Sequence, residues 1–242
     1  LLRGDLGTSI ITREPVTQML LARAEATISL SLTTLVTAST IAVLLGVAAA
    51  ARAGSRLDRG LMAFAALSFS MPGFVAAYLM IFAFSIQLGW LPVQGYSPIG
   101  EGLGSWAYHL ILPTITLSLA FIALIARITR ASMLEVLSED YIRTAKAKGV
   151  TPRGQLFRYA LKNAAIPIVT IIGIGFALMM SGVVITETVF NLPGVGRLVV
   201  DAIGRRDYPV IQGVVIVFSG LYVLINLLVD LSYALFDPRI RY

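Results

Sequence analysis

The sequence predicts an all-α integral membrane protein, and three observations carry that expectation. Of the 242 residues, 57% are hydrophobic and only 13% are charged, whereas a soluble domain carries about 25% charged residues. The apolar residues come in five long blocks rather than in short alternating runs. The bases are also unevenly shared between the segments that join those blocks. Without water to satisfy backbone amides, a chain crossing lipid forms helices or a closed barrel. Blocks this long favour helices, since about 20 residues at 1.5 Å per residue cover about 30 Å of hydrocarbon.

The five blocks follow in order: 25–51, 60–88, 108–130, 164–188 and 209–235. The second contains Met71-Pro72-Gly73, where a kink is expected because proline removes a helix donor and clashes with the preceding turn. The fourth carries Gly173, Gly175 and Gly182, small residues that let membrane helices approach closely. The expected organisation is an external segment over 1–24, a membrane domain over 25–236 that includes a polar loop at 131–163, and a tail at 237–242. Thirteen of the 19 Lys and Arg residues fall in 52–59, 127–163 and 237–242. That bias places the 127–163 stretch and the C-terminus in the cytoplasm. Trp90, Tyr96, Trp106 and Tyr108 flank the opposite loop, as an aromatic belt does. Five spans leave the chain ends on opposite sides, so a further span upstream of Leu1 is expected.

The net charge of +6 forms no single soluble patch, so nucleic acid is not an expected partner. The chain has no cysteine and one histidine, His109. A thiolate metal site is thereby excluded, and no clustered set of carboxylates suggests catalysis. No G-x-x-x-x-G-K-[ST] phosphate loop is present. Neither a cofactor nor a metal is expected on this chain.

The stretch SEDYIRTAKAKGVTPRGQLFRYALKN at 138–163 is polar yet patterned for helix. Ser138 is a candidate N-cap, with Glu139 and Asp140 in the first turn. Arg143 sits four residues after Glu139, a favourable pair. Gly149 suits the C′ position. Thr151-Pro152 restarts a helix, with Thr as N-cap and Pro at the first helical position. Loops of this length usually serve a function. A solvated basic loop is one reading; a docking helix presenting Tyr141, Ala145 and Gly149 to a partner is the other.

DYIRTAKAKGV followed by ALKNAAIP resembles the signature loop of ABC importer permeases, in the branch that imports peptides and, in some members, nickel. The superfamily pattern begins Glu-Ala-Ala with a glycine six residues after the Glu. Here Arg143, Thr144, Ala145 and Gly149 occupy those positions, and Arg-Thr-Ala is similar to the peptide branch. GDLGTSIITREPV at 4–16, LPTITLSLA at 112–120 and ETVFNLPGVGRLVVDAIGRRDYPVIQG at 187–213 resemble further stretches of the same family in the same order. The resemblance implies a type I ABC importer permease-like bundle, one of a pair of homologous subunits. It implies two separate ATPase subunits that carry ATP and Mg, an external substrate-binding protein, and a bacterial inner-membrane location. It further implies that Glu139, Asp140, Tyr141, Arg143, Thr144, Ala145 and Gly149 couple the chain to the ATPase.

Other candidates rest on position. Ser68, Ser70, Ser181 and Asn226 are polar residues inside spans; they line a path or bond their own helix. Pro193, Gly194, Arg205 and Arg206 contact the binding protein or simply turn the chain. Glu187 and Asp230 lie near span ends, where charge is tolerated. A secondary transporter or channel subunit is the alternative class. The first would place ionisable residues at mid-membrane. The second has no use for a capped cytoplasmic helix.

Overall fold

The computed structural model describes residues 6–236. Each apolar block is helical. Among the described residues four helices are each long and apolar enough to cross a bilayer: α1 (Val16–Ala51), α4 (Leu103–Leu137), α8 (Ala165–Val189) and α10 (Tyr208–Phe236), the last qualifying over Tyr208–Leu231. α1 begins nine residues before the expected start and takes up part of the segment expected to lie outside the membrane domain. α4 outruns its apolar block at both ends and passes through Pro113.

The second block is broken at the expected site rather than merely kinked: it forms two helices, α2 (Arg56–Ser70) and α3 (Gly73–Met80), the latter continuing as a π-helical turn at Ile81–Gln87, which are long and apolar enough for one span only when taken together. Met71 is extended at φ −84°, ψ 124°, and Pro72 at φ −57°, ψ 136°. A proline pushes the residue before it out of the helical region. Here two consecutive residues leave it, so the helix stops and restarts. Val75 and Ala76 N–H then donate to the Pro72 carbonyl at 2.9 and 3.1 Å.

The helices contribute to two compact units. Unit one draws on residues up to 36, then 72–118 and 178–224. One core here joins Val16 and Leu20 of α1, Val210 and Val214 of α10, and a short helix, α9 (Val195–Arg205). α9 buries Val195, Leu198 and Ala202, a spacing of three and four that marks one helical face. Gly213 lets α10 close on α1: a Cβ there would lie 2.6 Å from the Val16 side chain.

Unit two draws on 37–71, 119–177 and 225 onward. Ala38 and Ala42 of α1 pack on Ile122, Ile125 and Ala126 of α4. Val47 and Ala50 meet Met133 of α4, Ala160, Ala164 and Ile168. Gly46 lets α1 approach α4 closely, since a Cβ there would stand 2.5 Å from the Thr129 Cβ and 2.8 Å from the Ala126 carbonyl oxygen. In lipid such contacts act by close packing rather than by expelling water. The polar loop supplies α5 (Asp140–Ala147), α6 (Pro152–Gly154), a π-helical segment (Gln155–Ala160) and α7 (Leu161–Asn163).

Candidate functional site

In unit two the loop after α4 forms the expected short helix, with different detail at its start. Ser138 does not cap α5. Its hydroxyl donates to the Glu135 carbonyl at 2.7 Å and so closes α4. Glu139 takes the N-cap position with extended backbone and no side-chain hydrogen bond. Arg143 pairs with Asp140 at 3.0 Å, not with Glu139. Both partners are exposed, so the pair contributes little. At the other end Gly149 has φ +82°. Its N–H donates to Lys146 O at 3.0 Å and Val150 N–H to Ala145 O at 3.1 Å. Those are the reversed-turn bonds of a glycine C-cap. Thr151 caps α6 by accepting from Gly154 N–H at 3.3 Å.

The exposed face of α5 is smaller than expected. Ile142 and Ala145, three residues apart, are buried, and α5 packs on the π-helical segment. Ala145 therefore fastens α5 to its own chain and is not offered to a partner. Tyr141 is 41% exposed. Glu139, Asp140, Arg143, Thr144 and Gly149 are exposed as well. Nothing lies within 4 Å of where a Gly149 Cβ would stand. Just before the loop, Arg130 forks onto Asp58 with Nε–Oδ1 at 2.5 Å and Nη2–Oδ2 at 2.7 Å. Gly54 N–H adds a third bond to Oδ2 at 2.9 Å.

In unit one, long-range hydrogen bonds gather on one stretch of α1. Glu25 Oε1 accepts from Ile99 N–H at 2.8 Å and lies 3.1 Å from the Tyr96 hydroxyl. Ser29 Oγ accepts from Trp106 Nε1 at 3.2 Å. Tyr96 and Trp106, two of the four residues of the expected aromatic belt, are thus bonded to α1. Between these two positions, Thr27 Oγ1 donates to Glu187 Oε1 at 2.6 Å. Glu187 is fully buried at the end of α8, and its Oε2 accepts from Arg197 N–H at 2.9 Å. It is a structural node that the charge pattern alone did not single out. The available signal was an acid inside an apolar run, followed seven residues later by Gly194-Val195-Gly196.

The loop candidates divide. Pro193, Arg205 and Arg206 are exposed, but Gly194 is buried against the Glu187 carboxylate and offers no contact surface. Arg206 closes α9 in the left-handed region at φ 56°. The next residue, Asp207, accepts from the Ser9 hydroxyl and from Ile10 N–H. Burial pushes the Asp207 carboxyl up, but Ser9 and the amides of Ile10, Ile11 and Val210 outweigh burial and hold it below the usual carboxylate value.

Of the hydroxyls inside spans, Ser68 is buried and gives no free surface. Ser70 donates to Ala66 O at 2.9 Å, bonding its own helix, and also borders a cavity of about 250 Å³ with Phe69, Leu124 and Arg127. Ser181 is exposed and Asn226 half-buried. His109 Nδ1 lies 2.8 Å from Ser105 O in its own helix. Among the described residues no group of three His, Asp or Glu side chains is arranged to hold a metal ion.

Residues 42–242 match the family model described as "Binding-protein-dependent transport system inner membrane component". The chain is 61% identical over 241 residues to a probable peptide ABC transporter permease protein, y4tP, of Sinorhizobium fredii, covering 100% of this chain and 77% of that one. It is 42% identical over 262 residues to the di/tripeptide transport system permease protein DppB of Pseudomonas aeruginosa, covering 100% and 78%. It is 43% identical over 241 residues to the glutathione transport system permease protein GsiC of Salmonella typhi, covering 100% and 76%. Among solved structures, an inward-facing MetNI methionine ABC transporter chain superposes with a TM-score of 0.75 at 18% identity, covering 91% of this chain and 97% of that one. An amino acid ABC transporter chain gives 0.60 at 18%, covering 93% and 95%. These two likenesses establish the fold, the helical bundle that the sequence predicts.

Proposed function

The chain belongs to the family of binding-protein-dependent transport system inner-membrane components, and from that premise we propose that it forms half of a translocation path for di- or oligopeptides. The 61% identity to a probable peptide permease carries the choice of substrate class. The other half is a second homologous permease subunit. ATP and Mg are handled by two separate ATPase subunits, and substrate is delivered by an external binding protein. Loop 127–163 and the C-terminus face the cytoplasm, so the Glu187 end of α8, with α9, faces outward.

In this scheme α5 is the coupling helix. Ile142 and Ala145 tie it to its own subunit. Tyr141, Arg143, Thr144 and Gly149, with the acidic start at Glu139 and Asp140, meet the ATPase. A helix held on one face and free on the other carries motion from a docked partner into the chain. Closure of the ATPases on ATP drives the path outward-facing, and hydrolysis resets it. Ser70, Ser181 and Asn226 are the path-lining candidates. Pro193, Arg205 and Arg206 are the contacts with the binding protein.

The test is uptake of a labelled dipeptide into proteoliposomes holding the complete complex with its binding protein. Uptake should need ATP and stop with vanadate. Uptake that continues without ATP but collapses with an ionophore would refute the importer in favour of a secondary transporter.

A further inference from the structure

α9 has no cap of its own. Its N-cap residue is Gly194, which has no side chain to offer. The first turn of any helix leaves N–H groups that need acceptors. Here Val195 N–H donates to Thr27 Oγ1 at 2.8 Å, and Arg197 N–H donates to Glu187 Oε2 at 2.9 Å. The Gly196 amide also bonds Glu187. Leu198 N–H closes the first intrahelical bond to Gly194 O at 3.1 Å. The Thr27 hydroxyl in turn donates a hydrogen bond to Glu187 Oε1. A hydroxyl from α1 and a carboxylate from α8 therefore cap α9 together.

The glycines follow from this arrangement. A Cβ on Gly194 would fall on the Glu187 carboxylate, and one on Gly196 would stand 2.9 Å from Oε2 and 2.8 Å from the Val184 Cα. Glu187 is 0% exposed and both of its oxygens are engaged, so it has no surface left for a transported solute. The outer side of α9 is open: Ile203 is 58% exposed and is followed by exposed Arg205 and Arg206.

We propose that Glu187, with Thr27, is a positioning residue that holds α9 in the pose an external binding protein docks on, and that it acts through α9 alone. The proposal rests on the function above for the identity of the partner, whereas the capping role stands on geometry. Glu187→Gln keeps the shape but turns an N–H₂ group toward an N–H or a hydroxyl. Thr27→Val removes the relay and leaves the carboxylate.

The experiment uses the reconstituted complex. ATPase activity is titrated with binding protein, and a cysteine at Val199, part-buried against the α9 core, is labelled with a membrane-impermeant maleimide. The given sequence has no cysteine of its own, so the label is read on this subunit after the complex is separated, against the same subunit without Val199→Cys. E187Q and T27V should each raise the binding-protein concentration for half-stimulation about tenfold, a loss of the size expected for a missing cap. The rate at saturating binding protein should stay within about twofold of wild type, because only affinity is touched. Val199→Cys labelling should rise several-fold, and Glu187→Asp, which keeps the charge but is shorter, should fall between. An unchanged half-stimulation concentration, or a loss confined to the saturated rate, overturns the docking role. Unchanged labelling overturns the cap. A wild-type complex that its binding protein does not stimulate refutes the importer function, and the labelling arm still decides the cap.

Discussion

Removing the Asp58 charge should destabilise the Arg130 end of α4 by about 2–3 kcal/mol, between the value of a surface ion pair and that of a fully buried one. Asp58 is 2% exposed and the Arg130 side chain 27% exposed, so the pair is shielded on one side and wetted on the other. The fork of 2.5 and 2.7 Å bonds is charge-assisted and bidentate, the strongest arrangement available to an arginine. The Gly54 amide also loses its acceptor. In a chain of this size the change corresponds to a fall in Tm of about 5–10 °C. The assay is thermal unfolding of the purified complex for D58N, R130Q and D58N/R130Q. A double-mutant cycle should return a coupling of about 1.5–2.5 kcal/mol, because each single change strands the other partner. Coupling below about 0.5 kcal/mol would mean the pair behaves as a solvated surface contact, and the reasoning from burial and geometry would fail.

Three further outcomes follow from local geometry. Gly196→Ala should cost about 1–3 kcal/mol by overpacking against Val184 and Glu187. Gly204→Ala on the same helix has open space and should gain up to about 1 kcal/mol from helix propensity; equal Tm shifts for the two would exclude the steric account. At Gly149 the constraint is backbone conformation, not room. Gly149→Val should cost about 1–2 kcal/mol and weaken ATPase coupling, while Gly149→Asn, tolerated in the left-handed region, should retain most of it; matched uptake rates for the two variants would contradict this. Asp207 has a lowered folded-state pKa, so its contribution is present above the unfolded value of about 3.9 and is lost as pH falls through the folded one. The Tm gap between wild type and Asp207→Asn should hold from about pH 7 to 5 and close below about pH 4; a gap that widens in acid would reverse the assigned sign.

What the sequence disclosed follows the range of the interactions involved. Spans were visible because hydrophobic runs are local, and Gly149 and Thr151 were visible because caps act within a few residues. Pro72 marked a disruption, but the change from kink to full stop needed Met71 to leave the helical region as well. Ser138 was misplaced because α4 continues seven residues past its apolar block, and the hydroxyl found a carbonyl behind it first. Ala145 was assigned to the wrong face because periodicity in an eight-residue helix does not say which side is covered. Glu187 was passed over as a tolerated end charge because its partner Thr27 lies 160 positions away, and no local pattern encodes that distance. Asp58 and Arg130, 72 positions apart, escaped for the same reason.

The seat that Gly194 and Gly196 make for the Glu187 carboxylate sets the order in which substitutions at these sites are tolerated. While Glu187 is present, an alanine at 194 collides with it. If Glu187 is first shortened to alanine, the space opens and Gly194→Ala becomes cheap. The reverse path, alanine at 194 with the glutamate still in place, begins with a steric clash against the carboxylate. Positions 187 and 194 are therefore coupled, whereas Gly196 stays confined by the Val184 Cα whichever residue stands at 187.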